Sequence, residues 1–166
     1  MSEHLTILSV NVNRSLVTLT ALLETSIADI LLIQEPYWGP LVPRRSDTDP
    51  DGTPVTGTVN HQAWQSFHPP PSTENYPRVA TFVRSEVATS TTTTILPFID
   101  SYYSVGVLLT LPSPLPTLTV INFYHHVDQK QPQLDRLLAC TIPTDIATII
   151  CGDFNTHSLL WSPGDI

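Results

Sequence analysis

Ile30-Leu31-Leu32-Ile33 is the stretch that most restricts how this chain can fold. Four consecutive aliphatic residues leave no face for water and are too few for an ordinary helix. Ala28 to Ile33 therefore reads as a strand buried on both faces, ended at Gln34-Glu35-Pro36 by a residue that cannot donate to a sheet ladder. Upstream, Leu5, Ile7, Leu8, Val10 and Val12 fall near the period of two, so His4 to Val12 reads as a strand with one well-packed face. Between the two, Leu16, Leu19, Leu22, Leu23 and Ile27 form a helical stripe, with Ser15 as N-cap and an end near Ser26. Strand, helix and strand in this order imply a parallel βαβ start.

Gly39 to Gly57 is rich in proline and glycine, carries Asp47, Asp49 and Asp51, and has no periodic apolar face; it reads as a long mobile loop. His61 to Phe67, Arg78 to Arg84 and Tyr103 to Leu111 read as strands, and Thr89 to Thr94 as a short threonine-rich segment of high β propensity. Thr117 to Tyr124 alternates well and pairs with Tyr103 to Leu111 across Pro112-Ser113-Pro114 as a hairpin. Gln133 to Cys140 supports a short helix, and Ile146 to Cys151 another buried strand, ending in Gly152-Asp153-Phe154-Asn155. The expected fold is α plus β, one domain over 1–166, with two sheets packed face to face.

With 41% hydrophobic and 13% charged residues, the composition excludes a coiled coil and a charged disordered tail. A net charge of −8 is the wrong sign for a broad basic surface that holds nucleic acid, so a polyanionic ligand needs a local site, with a metal ion as its natural centre. No apolar run approaches the roughly 18 residues of a membrane span. The start lacks the basic region of a secretory signal, and an intracellular chain without a membrane partner is expected. Cys140 and Cys151 lie in apolar surroundings without metal-ligand spacing and read as small core residues, not a disulfide.

Polar residues close the apolar runs: Asn11 in the first strand, Glu35 after the second, Tyr124 after the hairpin, and Asp153 with Asn155 after the last. Strand ends of such sheets converge on one edge, where ligands bind. Two carboxylates and two amides are hard oxygen groups of the kind Mg²⁺ takes beside substrate phosphates. Taken singly, each is more often a solvated terminus or a cap.

Leu8-Ser9-Val10-Asn11-Val12-Asn13, Ile33-Gln34-Glu35-Pro36, Ile121-Asn122-Phe123-Tyr124 and Cys151-Gly152-Asp153-Phe154-Asn155-Thr156-His157 together resemble the endonuclease/exonuclease/phosphatase superfamily. Within it, the likeness is to the apurinic-like endonuclease domains of non-LTR retrotransposons, in order from Leu5 to Trp161, with Arg78 to Val83 resembling a middle strand. The resemblance implies a four-layer α/β sandwich of two mixed sheets flanked by helices, and Mg²⁺-dependent cleavage of phosphoester bonds, Mn²⁺ being a substitute. DNA would be the substrate, the nucleus the place of action, and a downstream reverse transcriptase a partner in a longer polyprotein. By position, Glu35 would be the direct metal ligand with Asn11 bounding the metal site. Tyr124 would contact the scissile phosphate, Asp153 would orient or deprotonate the attacking water, and Asn155 would hydrogen-bond the phosphate. Apart from the resemblance, the acidic net charge does not exclude such a substrate, because a bound cation and local arginines such as Arg14 or Arg78 can supply the needed field.

The resemblance also implies a later Asp and a terminal Ser-Asp-His motif, and the sequence stops at Ile166 with no such tripeptide. The expectation is a fold incomplete at its C-terminus and an impaired nuclease. The alternatives are a non-catalytic remnant or binding module, or a phosphatase of the same superfamily. Among the six histidines, His125, His126 and His157 lie nearest these motifs and read as loop or surface residues. Tyr37, Trp38 and Trp161 read as packing aromatics, and the Arg44-Arg45 pair, with three aspartates after it, as a solvated loop.

Overall fold

The fold was established from a computed structural model, which describes residues 4–41, 55–72, 75–90, 92–111, 116–125, 132–139 and 145–155. It begins as expected: strand β1 (Ile7–Asn11), helix α1 (Leu16–Thr25) and strand β2 (Ile30–Gln34), with β1 and β2 parallel. Ser15 caps α1, its Oγ accepting from Thr18 N at 3.2 Å. β2 is buried at all its residues. β1 has no fully buried residue, unlike the well-packed face expected of it, because it lies at the edge of its sheet among the described strands.

Residues 39–57 are not loop throughout. Strand β3 (Gly39–Leu41) pairs antiparallel with strand β4 (Val55–Gly57), while 42–54, with Arg44 and Arg45, lie outside the described residues. Strands β5 (Trp64–Phe67) and β6 (Val79–Arg84) complete a four-stranded sheet of order β1-β2-β6-β5. Helix α2 (Ser85–Ser90) follows, then strand β7 (Thr92–Ser101), strand β8 (Ser104–Thr110), strand β9 (Leu118–Tyr124), helix α3 (Pro132–Ala139) and strand β10 (Ala147–Asp153). These strands form the second sheet, of order β10-β9-β8-β7, with the expected β8–β9 antiparallel pair and a parallel β9–β10 pair.

Two further features differ from the sequence reading. The threonine-rich segment Thr89 to Thr94, expected as extended chain, is divided: Thr89 and Ser90 close helix α2, and Thr92 to Thr94 open a ten-residue strand whose register with β8 shifts between Leu96 and Ser101. Pro97, which has no N–H to offer, falls within that break, as an edge strand permits. β10, expected to be buried, is also an edge among the described strands, with Ile149 and Ile150 exposed.

Alternation along the central strands builds the layers. Ile30 and Leu32 face the second sheet and cluster with Val79, Val83, Val105, Val107, Leu109, Val120 and Tyr124. Leu31 and Ile33 face the other way, against Leu19 and Leu23 of α1. In β9, Ile121 and Phe123 turn outward to Leu137 of α3. The layers are therefore helix, sheet, sheet and helix. Cys151 is a free, half-buried thiol against the inter-sheet core, and Cys140 lies outside the described residues. No helix among the described residues is long and apolar enough to cross a membrane.

Candidate functional site

The C-terminal ends of β1, β2, β9 and β10 converge, and the backbone there is bent out of its ordinary range. Asn13, Arg14, Glu35 and Asn155, which flank these ends, have φ of 47°, 56°, 46° and 43°. Asn tolerates this left-handed region; Arg and Glu enter it only where surrounding bonds hold them, at a cost of about 1–3 kcal/mol each. The bonds are present: Asn13 N donates to Asn11 Oδ1 at 2.9 Å, Arg14 N to Glu35 O at 2.7 Å, and Glu35 N to Arg78 O at 2.8 Å.

Four of the expected site residues meet here directly. Asn11 Nδ2 donates to Asp153 Oδ2 at 2.9 Å, joining the ends of the two sheets over 142 positions of sequence. Asp153 is the register partner of Tyr124 in the β9–β10 pair, and the Tyr124 phenol donates to the Glu35 carboxylate. Asn155 completes the set, its N–H donating to Asp153 Oδ1 at 3.2 Å and its Nδ2 to His125 O at 2.8 Å. Both Asp153 oxygens thus accept a hydrogen bond, which fixes the carboxylate plane.

Burial, the charge of Glu35, the hydrogen bond to it and the charge of Asp153 push the Tyr124 phenol up from 10.0 to about 12, with Arg14 opposing. The folded state therefore holds this proton more tightly than the unfolded chain. The associated stability is fully present below pH 10 and is lost as pH rises through about 12. A tyrosinate absorbance titration of the chain against Tyr124→Phe should remove one transition near pH 12; removal of a transition near 10 instead would contradict this electrostatic description.

Glu35 is 15% exposed and its Oε1 lies 3.4 Å from Arg78 Nη1 and 3.8 Å from Arg14 Nη2. The two local arginines expected from sequence thus both adjoin the carboxylate. Tyr37 and Trp38 pack as expected: the Tyr37 hydroxyl donates to Pro40 O at 2.9 Å, and Trp38 meets the His68 ring edge-on. Trp161, His126 and His157 lie outside the described residues.

Sequence reasoning missed the polar bridge beneath the site. Gln34 and Asn122 are buried at inward-facing positions of β2 and β9, and Gln34 Nε2 donates to Asn122 Oδ1 at 2.7 Å. Asn122 Nδ2 reaches Ile33 O at 3.0 Å and Ala80 O at 3.1 Å. A satisfied polar bridge inside an apolar core admits one register of sheet on sheet, and that register brings Glu35 opposite Tyr124. The available signal was parity, since Gln34 shares the face of Ile30 and Leu32. His125, read as a loop or surface residue, does follow the end of β9 but is not at the surface. It is buried, stacked on Phe123, and neither ring nitrogen has a hydrogen-bond partner among the described residues. The apolar outer face of β9 draws the ring in, while its backbone N–H bonds Asp153 O at 2.8 Å.

Among the described residues no three His, Cys, Asp or Glu side chains gather as a metal cluster. The donor set still fits Mg²⁺, which keeps several waters and takes one or two carboxylates: Glu35 supplies a carboxylate and Asn11 an amide oxygen.

The four-layer α/β sandwich thus presents two carboxylates, two amides and a phenol at one edge. Residues 8–166 match the Endonuclease/Exonuclease/phosphatase family, and the chain belongs to that family. Its fold is similar to the endonuclease domain of TRAS1, a telomere-specific non-LTR retrotransposon, with a TM-score of 0.61 and 18% identity over 96% of this chain and 63% of that one. It is also similar to humanized D. rerio TDP2 carrying 14 mutations, with a TM-score of 0.54 and 18% identity over 93% of this chain and 64% of that one. The chain thus spans less than two thirds of either structure. No curated protein sequence gives a significant match.

Proposed function

We propose that this chain is a Mg²⁺-dependent phosphodiesterase of the retrotransposon endonuclease type, nicking one strand of duplex DNA. The observation that carries this reading is the Asn11–Asp153 hydrogen bond between the two sheets, beside the Tyr124–Glu35 pair. It brings a fixed carboxylate, an amide and a protonated phenol to a single edge. Asp153, held by Asn11 and by the Asn155 N–H, orients the attacking water and takes its proton. Tyr124 stays protonated at neutral pH; its single O–H, which donates to Glu35 in the free chain, turns to a phosphate oxygen when the strand binds, and the Asn155 amide donates its second N–H. Glu35 and Asn11 would hold the cation, with Mn²⁺ as a substitute. When bound, the cation supplies charge stabilisation on the phosphoryl oxygens and the leaving group. The attack is in line, and its leaving group is the strand's 3′ or 5′ oxygen. This role belongs in the nucleus, with a reverse transcriptase in the same polyprotein.

The experiment offers the chain a supercoiled plasmid, an abasic duplex and small phosphomonoesters, each with Mg²⁺ and with chelator. Plasmid relaxation that requires Mg²⁺ is expected. Since the 166 residues hold no Ser-Asp-His, the rate of the chain alone should fall orders of magnitude below an ordinary enzyme, a range plasmid nicking still registers. Phosphate release from monoesters without nicking would reassign the chain to the phosphatases of the family. Equal turnover with chelator would overturn the metal role.

A further inference from the structure

Only seven of the residues are Lys or Arg in a chain of net charge −8, yet two of them meet at the rim of the candidate site. The backbone sets them there, since Glu35 bonds Arg14 on one side and Arg78 on the other. Their guanidinium carbons lie 5.7 Å and 5.6 Å from the centre of one ring, Tyr76, which is 41% exposed. Cation–π contact with a shared ring aligns two groups that would otherwise repel. Each offers one nitrogen to the same oxygen, Glu35 Oε1, and among the described residues no other acceptor takes their remaining guanidinium N–H groups.

One carboxylate balances one guanidinium, so a second cation is more than Glu35 needs. Two guanidinium groups that converge on one carboxylate oxygen, with the Arg14 side chain 46% exposed and that of Arg78 20%, form a pair of donors suited to a phosphate oxyanion. Resting on the reading of the site as a DNA phosphodiesterase, we infer that Arg14 and Arg78, aligned by Tyr76, bind a backbone phosphate of the DNA adjacent to the one that is cut. They are positioning residues. The clamp resolves the charge conflict of an acidic chain with a polyanionic substrate, because field is needed only where the strand lies.

The test uses the 166-residue chain in chelator, so that nothing is cut, with a fluorescent duplex oligonucleotide read by anisotropy across a salt series. Arg14→Gln should weaken binding roughly tenfold and flatten the slope of log K against log salt by about 0.9, the loss of one phosphate contact. Arg78→Gln should act in the same direction, and Tyr76→Leu should weaken binding less. Arg136→Gln on α3 changes net charge equally and should leave the slope as it was. Thermal melting checks each fold; Arg14, the more exposed of the pair, decides the matter if Arg78→Gln does not fold. Unchanged affinity and slope in Arg14→Gln would overturn the clamp while leaving the nuclease reading intact, as would an equal loss in Arg136→Gln. A parent chain that binds no DNA in chelator would overturn the clamp, while the nuclease reading, whose phosphate site includes the cation, stands or falls with the plasmid assay in Mg²⁺.

Discussion

Glu35→Gln should abolish the Mg²⁺-dependent plasmid nicking that the chain retains, while leaving the melting transition within a few degrees of the parent. Gln keeps the shape of the side chain and an acceptor for the Tyr124 phenol, so the left-handed turn at φ 46° and its backbone bonds to Arg14 and Arg78 can persist. What goes is the negative charge, the quantity a metal ligand must supply and an amide cannot. The same substitution has a second readout that does not depend on turnover. The charge of Glu35 is the largest cause after burial of the raised Tyr124 pKa, so the phenol should titrate below about 12 in Glu35→Gln. Lost nicking with a lowered phenol pKa would place the effect in the electrostatics of this edge. Nicking that survives the change would mean the cation is held elsewhere.

The strand ends carrying Asn11, Glu35, Tyr124 and Asp153 are legible in the sequence because each closes an apolar run, and apolar periodicity is a local signal. The helix α1 is legible for the same reason, with Ser15 marking its start. Elements decided by their neighbours are not. Ser85-Glu86-Val87-Ala88-Thr89-Ser90 has no strong helical pattern, yet it turns as a helix, with Thr89 Oγ1 donating to Ser85 O at 2.9 Å. Ile149 and Ile150 read as core because hydrophobicity does not record whether a strand is central or at an edge. Tyr76 follows a proline-rich stretch without period, so only the folded chain shows it between Arg14 and Arg78. The Gln34–Asn122 bridge lies between, since parity assigns each residue to a face but cannot say that the two faces meet.

Gly152→Ala should cost more than 4 kcal/mol, against a total of about 5–15 kcal/mol for a domain, and leave little folded chain. Gly152 is the register partner of Phe123 in the β9–β10 pair, with φ of +156°. A Cβ placed on it would lie 1.7 Å from Phe123 O, 2.7 Å from Phe123 C and 2.9 Å from Phe123 N. All three are backbone atoms of a strand paired on both sides, so no rotamer change relieves the clash. Relief requires β10 to draw away from β9, which breaks the ladder from Ala147 to Asp153 and withdraws Asp153 from Asn11. Stability and site should therefore fail together, as a lost cooperative transition in denaturant with loss of any nicking. Asp153→Asn serves as the comparison, keeping the backbone and removing the charge with one of its two accepted hydrogen bonds: it should stay folded, melting modestly below the parent, and still lose activity. A Gly152→Ala chain that unfolds within about 1 kcal/mol of the parent would show that β10 is not held against Phe123 as described.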